Sequence, residues 1–109
     1  MEIIDTHQHL WDRARFELPW LASATEPLSK SHTPEDYARA THGLGITATV
    51  YMEVDVRLDQ REAEAKYVYG LCGDPQNPMR GAVVGGDPAG AEFSAYLDRI
   101  ASPSLKGVY

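Results

Sequence analysis

Apolar and polar positions switch between two periods along this chain. Ile3-Ile4-Asp5-Thr6-His7-Gln8-His9 opens it as a short β-type run, in which successive side chains point to opposite faces. Thr33 then reads as the N-cap of a helix, with Pro34 at its first position and Glu35 and Asp36 at the positive end of its dipole. Tyr37, Ala40, Thr41 and Leu44 have the spacing of one buried stripe, and Gly43 and Gly45 supply stop signals. From Ile46 to Val54 the period returns to two. Ile46, Ala48, Val50 and Met52 share one face; Thr47, Thr49, Tyr51 and Glu53 share the other. A second helix is expected from about Asp59 to Leu71, with Asp59 as its cap and Glu62 in capping-box-like spacing. Its inner stripe reads as Ala63, Tyr67, Gly70 and Leu71, and its solvated face as Gln60, Arg61, Glu64 and Lys66. The turn cluster from Gly73 to Pro78 ends it. Arg80 to Gly86 is a third strand, Glu92 to Ala101 a third helix with Phe93, Tyr96, Leu97 and Ile100 on its stripe, and Leu105 to Tyr109 the start of a fourth strand. The order β-α-β-α-β-α-β is that of a parallel α/β fold.

The first strand carries the candidate chemistry. His7 and His9 are two apart, so they point the same way while Gln8 points the other. Two imidazoles converging from one strand end can occupy adjacent corners of a metal site, at roughly 2.0–2.1 Å per Zn–N bond. Asp5 has the same parity and is placed to brace an imidazole. Two solvated or hydrogen-bonded histidines at a strand edge would give the same pattern. His42 reads as a solvated or dipole-capping residue at a helix end, and His32 as a loop residue. Gly85-Gly86 lacks the third glycine and the following helix of a dinucleotide loop, so it reads as a bend.

The string Asp5-Thr6-His7-Gln8-His9-Leu10-Trp11-Asp12, followed by Leu18-Pro19-Trp20-Leu21, resembles the start of the amidohydrolase superfamily. Within it, the chain is similar to the branch containing L-fuconolactonase, L-rhamnonolactonase and 2-pyrone-4,6-dicarboxylate lactonase. The resemblance continues through Thr33-Pro34-Glu35-Asp36, Val50-Tyr51-Met52-Glu53 and Leu105-Lys106-Gly107-Val108, and so covers nearly the whole chain. The combined string carries it; the His-x-His alone does not. It implies a (β/α)8 TIM barrel with the site at the C-terminal strand ends, and hydrolysis of a sugar lactone or related ring by water attack on the carbonyl. It also implies a divalent metal, Zn2+ in the first place, held partly by His7 and His9. Further histidines and an Asp general base would come from later strands. Some relatives do not require the ion, and there the histidines would serve the substrate.

In a barrel, the loop from Leu10 to about Thr33 would cross the active-site face. Trp11 and Trp20 then either wall a substrate pocket or seal the loop against the rim. The barrel reading also puts the parity of Glu53 inside, with Glu53 near the strand's C-terminal end. There it is either a site residue, compensated by a cation, a substrate hydroxyl or an Arg, or a solvated rim residue.

A complete barrel needs roughly 250 residues. The 109 residues here would supply about three βα units and the start of strand 4, as one incomplete metal-dependent hydrolase domain spanning 1–109. The chain is therefore expected to be the N-terminal portion of a longer enzyme, inactive alone because two histidines do not complete a zinc site. A net charge of −6 without a Lys/Arg cluster argues against nucleic-acid binding. No run approaches the roughly 20 apolar residues of a membrane span, and no secretory signal is visible. The lone Cys72 forms no intrachain disulfide and reads as a buried helix-end thiol, which suits a cytoplasmic setting. A small-molecule substrate is the expected partner, with homo-oligomerisation open. Two alternatives stand: amide hydrolysis or metal-assisted decarboxylation at the same site, and a small non-catalytic interaction module.

Overall fold

The structure, a computed structural model, describes residues 1–109. Four strands, β1 (Ile3–Gln8), β2 (Ile46–Met52), β3 (Met79–Val84) and β4 (Leu105–Val108), form one sheet in the order β1-β2-β3-β4. Every neighbouring pair is parallel. Helices α1 (Pro34–Ala40), α2 (Arg61–Cys72) and α3 (Phe93–Ile100) make the crossovers. Short 3-10 turns at Pro19–Ser23 and Leu58–Gln60 punctuate the loops after β1 and β2. This is the βαβ alternation expected from the sequence.

The core lies between the sheet and its helices. Tyr51 on β2, Ala82 and Val84 on β3, Ala65 and Val68 on α2 and Ile100 on α3 are all buried there. The opposite face of the sheet is open: Ile4 is 62% exposed, and Val50, Met52 and Val83 are half-buried. The molecule is 19 Å across its thinnest axis, room for a sheet and one helical layer. No helix is long and apolar enough to cross a membrane.

Two expectations about faces are corrected. Thr49 and Tyr51 point at the helical layer, not into a lumen; both are buried, and the Tyr51 hydroxyl reaches α2. Alternation shows which residues share a face, but not which face is covered. On α2 the buried residues are Glu64, Ala65 and Val68, whereas Ala63 is exposed. Of the expected stripe, Tyr67 and Leu71 are half-buried against the core, while Ala63 and Gly70 are exposed; burying Val68 gains about 1.5–3 kcal/mol, more than either of those two small residues supplies. The helix therefore rotates Ala65 and Val68 inward and carries Glu64 with them. Asp59 does not cap α2: its carboxylate pairs with Arg57 at 2.6 Å, and the helix starts at Arg61.

The α1 entrance is as expected. Thr33 Oγ1 accepts from the Asp36 N–H (3.2 Å), and Asp36 Oδ2 accepts from the Thr33 N–H (2.9 Å). The Thr33 N–H, together with the Thr33 hydroxyl 3.1 Å from the same oxygen, holds the Asp36 carboxyl below its usual range. The helix buries no residue, and Leu44 is 58% exposed, so the expected stripe is absent. Cys72 is the last residue of α2, half-buried, with its thiol pushed up by burial.

Gly45 aligns β1 with β2. It has φ +83°, its carbonyl accepts from the Ile3 N–H at 2.8 Å, and a Cβ there would lie 2.5 Å from the Met1 carbonyl oxygen. Gly43 has φ +79° but open space around its Cβ position. Gly43→Ala is therefore expected to cost about 1–2 kcal/mol of backbone strain. Gly45→Ala should cost clearly more, because β1 must also move. Urea unfolding of the two variants checks this; equal losses would contradict the role of Gly45 in strand alignment.

Candidate functional site

The site begins with an irregularity in β1. Asp5 pairs with Thr49 and Gln8 with Tyr51, so β1 spends three steps where β2 spends two. An extra residue of this kind bends a strand and re-aims its side chains. Asp5 and Gln8 consequently both face the helical layer, beside Thr49 and Tyr51, and Gln8 is buried. Asp5 fixes the bend: its Oδ1 accepts the His7 N–H (3.0 Å) and its Oδ2 accepts the Tyr37 hydroxyl (2.7 Å). Burial and this bond raise the Tyr37 phenol above its ordinary value. Asp5 thus holds the backbone at His7 rather than an imidazole ring, a correction to the expected bracing.

His7 and His9 emerge together on the solvent-accessible side. Their Nε2 atoms are 3.0 Å apart, with ring centroids at 4.8 Å and planes at 75°. His9 Nδ1 lies 3.0 Å from the Met52 carbonyl oxygen. A carbonyl only accepts, so Nδ1 carries the proton and the Nε2 of neutral His9 presents its lone pair. His7 Nε2–H then donates to it. Two nitrogens bound to one tetrahedral ion would sit about 3.3 Å apart, so holding two corners of a zinc site requires the pair to part by a few tenths of an ångström and the His7 ring proton to move from Nε2 to Nδ1. No third His, Cys, Asp or Glu joins them in metal-binding geometry. The donor set fits half a site.

The loop after β1 is pinned above this point. Trp11 and His32 exchange backbone hydrogen bonds at 2.9 and 2.7 Å. The Trp11 indole N–H donates to the Lys30 carbonyl, that of Trp20 to the Val54 carbonyl, both at 2.7 Å. The two indoles meet edge to face at 5.5 Å. Both therefore seal the loop and also wall an open cleft of about 390 Å³, shared with His9, Leu28, Glu53 and Asp55. Glu53 is half-buried in that cleft, and its Oε2 accepts the Asp55 N–H at 2.7 Å. This bond stabilises Asp55 at φ +52°, so Glu53 orients its loop while presenting a carboxylate to the cleft. His32 donates to the Pro27 carbonyl at 2.9 Å, and His42 is exposed; neither joins the site.

Two residues here were missed. Glu64 is 1% exposed and Tyr51 2%. The Tyr51 hydroxyl donates to Glu64 Oε2 at 2.6 Å and also lies 3.2 Å from the Leu10 carbonyl. Val54 N–H donates to the same Glu64 oxygen at 3.3 Å, while Glu64 Oε1, buried, has no partner. Burial drives the Glu64 carboxyl upward, against the two hydrogen bonds that pull it down. The Tyr51 phenol is raised by burial and by the neighbouring Glu64 charge. A signal did exist: Arg61, Glu64, Ala65, Val68 and Cys72 fall on one continuous helical stripe.

No family model matches the chain, and no curated protein is significantly similar to it. Solved structures are. Amidohydrolase 2 from Bifidobacterium longum subsp. infantis is 25% identical, with a TM-score of 0.65 over 96% of this chain and 50% of its own. Two crystal structures of an amidohydrolase from Burkholderia multivorans, one with bound zinc and one with HEPES, are 19% identical. Their TM-scores are 0.75 and 0.74, over 99% of this chain and 36% of theirs. The chain thus spans half or less of the length of these structures. The likeness shows the fold: the four-stranded parallel sheet and its crossovers match the N-terminal part of TIM-barrel amidohydrolases.

The raised Glu64 carboxyl has a pH signature. A raised folded-state pKa contributes stability that is full below the unfolded value and is lost as pH rises through the folded one. Wild type is therefore expected to lose stability relative to Glu64→Gln as pH rises above the ordinary value of 4.5. Urea midpoints across pH measure this. A wild-type-minus-variant difference independent of pH would contradict the burial of an ionisable group at position 64.

Proposed function

We propose that this chain forms the opening portion of the barrel of an amidohydrolase-type hydrolase that opens a sugar lactone by attack of water on the ring carbonyl. The observation carrying the proposal is the convergence of His7 Nε2 and His9 Nε2 to 3.0 Å at the C-terminal end of β1. In a parallel α/β barrel that end of the strands is where chemistry is placed. The likeness to amidohydrolase structures and the Asp5-to-Asp12 string support the same reading.

Each residue then has a role. His7 and His9 hold two corners of a divalent cation site. Such an ion supplies Lewis acidity toward the carbonyl oxygen when bound. The Met52 carbonyl keeps the His9 Nε2 lone pair turned outward, as a second group behind a ligating imidazole does. The cleft beside them suits a sugar-derived ring. Trp11 and Trp20 offer flat apolar surface, and Glu53 offers a carboxylate that accepts from a ring hydroxyl. The general base and the remaining metal ligands come from strands beyond β4 in this reading, so residues 1–109 alone turn over no substrate.

Aldonolactones are the test substrates. The complete barrel carrying these strands is expected to hydrolyse at least one of a panel, and His7→Ala/His9→Ala should lower kcat/KM by more than ~100-fold while leaving the circular dichroism spectrum unchanged. Turnover of an amide or an aromatic carboxylate with none of any lactone would remove the lactonase assignment. Undiminished kcat/KM in the double variant would remove the histidines from the site.

A further inference from the structure

We propose that Tyr51 and Glu64 are positioning residues for the histidine pair, a buried phenol–carboxylate couple that holds the two loop starts of the site in register through α2. The inference rests on the reading of His7 and His9 as site residues, and deepens it.

The argument starts from where the couple's hydrogen bonds end. Glu64 Oε2 receives Tyr51 Oη at 2.6 Å and the Val54 N–H at 3.3 Å; Tyr51 Oη also sits 3.2 Å from the Leu10 carbonyl. Leu10 is the residue after His9, and Val54 is the residue after Glu53. The buried couple therefore touches the backbone immediately beyond a residue of the site on each of the first two loops, Tyr51 at Leu10 and Glu64 at Val54.

Residues 52–54 are where these contacts meet. The Met52 carbonyl takes His9 Nδ1–H (3.0 Å), the Val54 N–H is held by Glu64, and the Val54 carbonyl takes the Trp20 indole N–H (2.7 Å). Two residues, Met52 and Val54, thus bind the first strand's histidine, the second helix and the aromatic loop. Without the Glu64 acceptor, the Val54 N–H is buried with no partner, and the Tyr51 hydroxyl has only Leu10 to turn to. The segment must then shift to find new partners, moving the Met52 carbonyl relative to His9. A metal-site nitrogen displaced by a few tenths of an ångström loses affinity, and groups that orient ligands typically contribute 10–100-fold to it.

The presence of a carboxylate at this position points the same way. Its helical neighbours inward are Ala65 and Val68, and an apolar side chain at 64 would pack there without desolvating an acid. The acid stands where it accepts two donors at once, the Val54 N–H and the Tyr51 hydroxyl that lies against the Leu10 carbonyl.

The test uses the 109-residue chain and three variants: Glu64→Gln, which keeps an acceptor oxygen and the shape; Glu64→Leu; and Tyr51→Phe. Two readouts are taken on samples shown to be folded by near-UV circular dichroism. The first is the tautomer and hydrogen-bonding state of the His9 ring nitrogens by 15N NMR, without metal. The second is Zn2+ affinity by calorimetry. Glu64→Leu and Tyr51→Phe are expected to release the His9 Nδ1 hydrogen bond and to weaken Zn2+ binding by about 10-fold or more. Glu64→Gln should stay within about twofold of wild type, because its side-chain oxygen still accepts from both donors. Tyr51→Phe deletes one hydroxyl, so it decides the matter if Glu64→Leu does not fold. A folded Tyr51→Phe with wild-type His9 signals and Zn2+ affinity would overturn the proposal, as would Glu64→Gln behaving like Glu64→Leu. If wild type binds no Zn2+, the metal reading fails, and the His9 nitrogen signals still decide the positioning role.

Discussion

Parallel pairing of β1 with β2 fixes the site, through the one residue by which β1 exceeds β2 between Asp5 and Gln8. Without that extra residue, strict alternation would place Asp5 and Gln8 on opposite faces. With it, both turn toward the helices, and the strand leaves the sheet with His7 and His9 side by side. Asp5 secures the bend from two directions, one oxygen on the His7 N–H and the other on the Tyr37 hydroxyl. A helix that buries no residue, α1, is thereby tied to the strand that carries the imidazoles.

The second constraint is polar and buried. Tyr51 and Glu64 stand in the layer between sheet and helices, where an apolar pair would be the simpler solution. Desolvating a carboxylate costs several kcal/mol before hydrogen bonds repay it, and one of the oxygens here is left without a partner. What the pair does that an apolar one does not is fix polar backbone atoms of two loops at once. Stability and site geometry therefore pull in different directions at position 64.

Much of this was legible in the residues. The i, i+2 histidines predict convergence because a strand has period two, and the structure places their Nε2 atoms in contact distance. Thr33-Pro34-Glu35-Asp36 predicts a capped helix start, and both capping bonds are present. The parallel order follows from the alternation of short apolar runs with helical stripes. Other features had no local signature. Period two cannot tell which face of β2 is covered, so Thr49 and Tyr51 were expected inside a barrel and instead lie under α2. The expected α2 stripe of Ala63, Tyr67, Gly70 and Leu71 leaves Glu64 on the solvated face; its burial depends on donors from Tyr51 and Val54, 13 and 10 residues away. The role of Asp5 was found by parity but assigned to a ring, since parity says nothing of a bulge.

The convergence of the two imidazoles is the claim on which the functional reading stands, and it needs neither metal nor substrate to be tested. Nuclear Overhauser contacts between the ring protons of His7 and His9 in the folded 109-residue chain measure it directly. With ring centroids 4.8 Å apart, strong ring-to-ring contacts are predicted. Contacts from each ring only to opposite faces of the sheet, with none between them, would contradict the account.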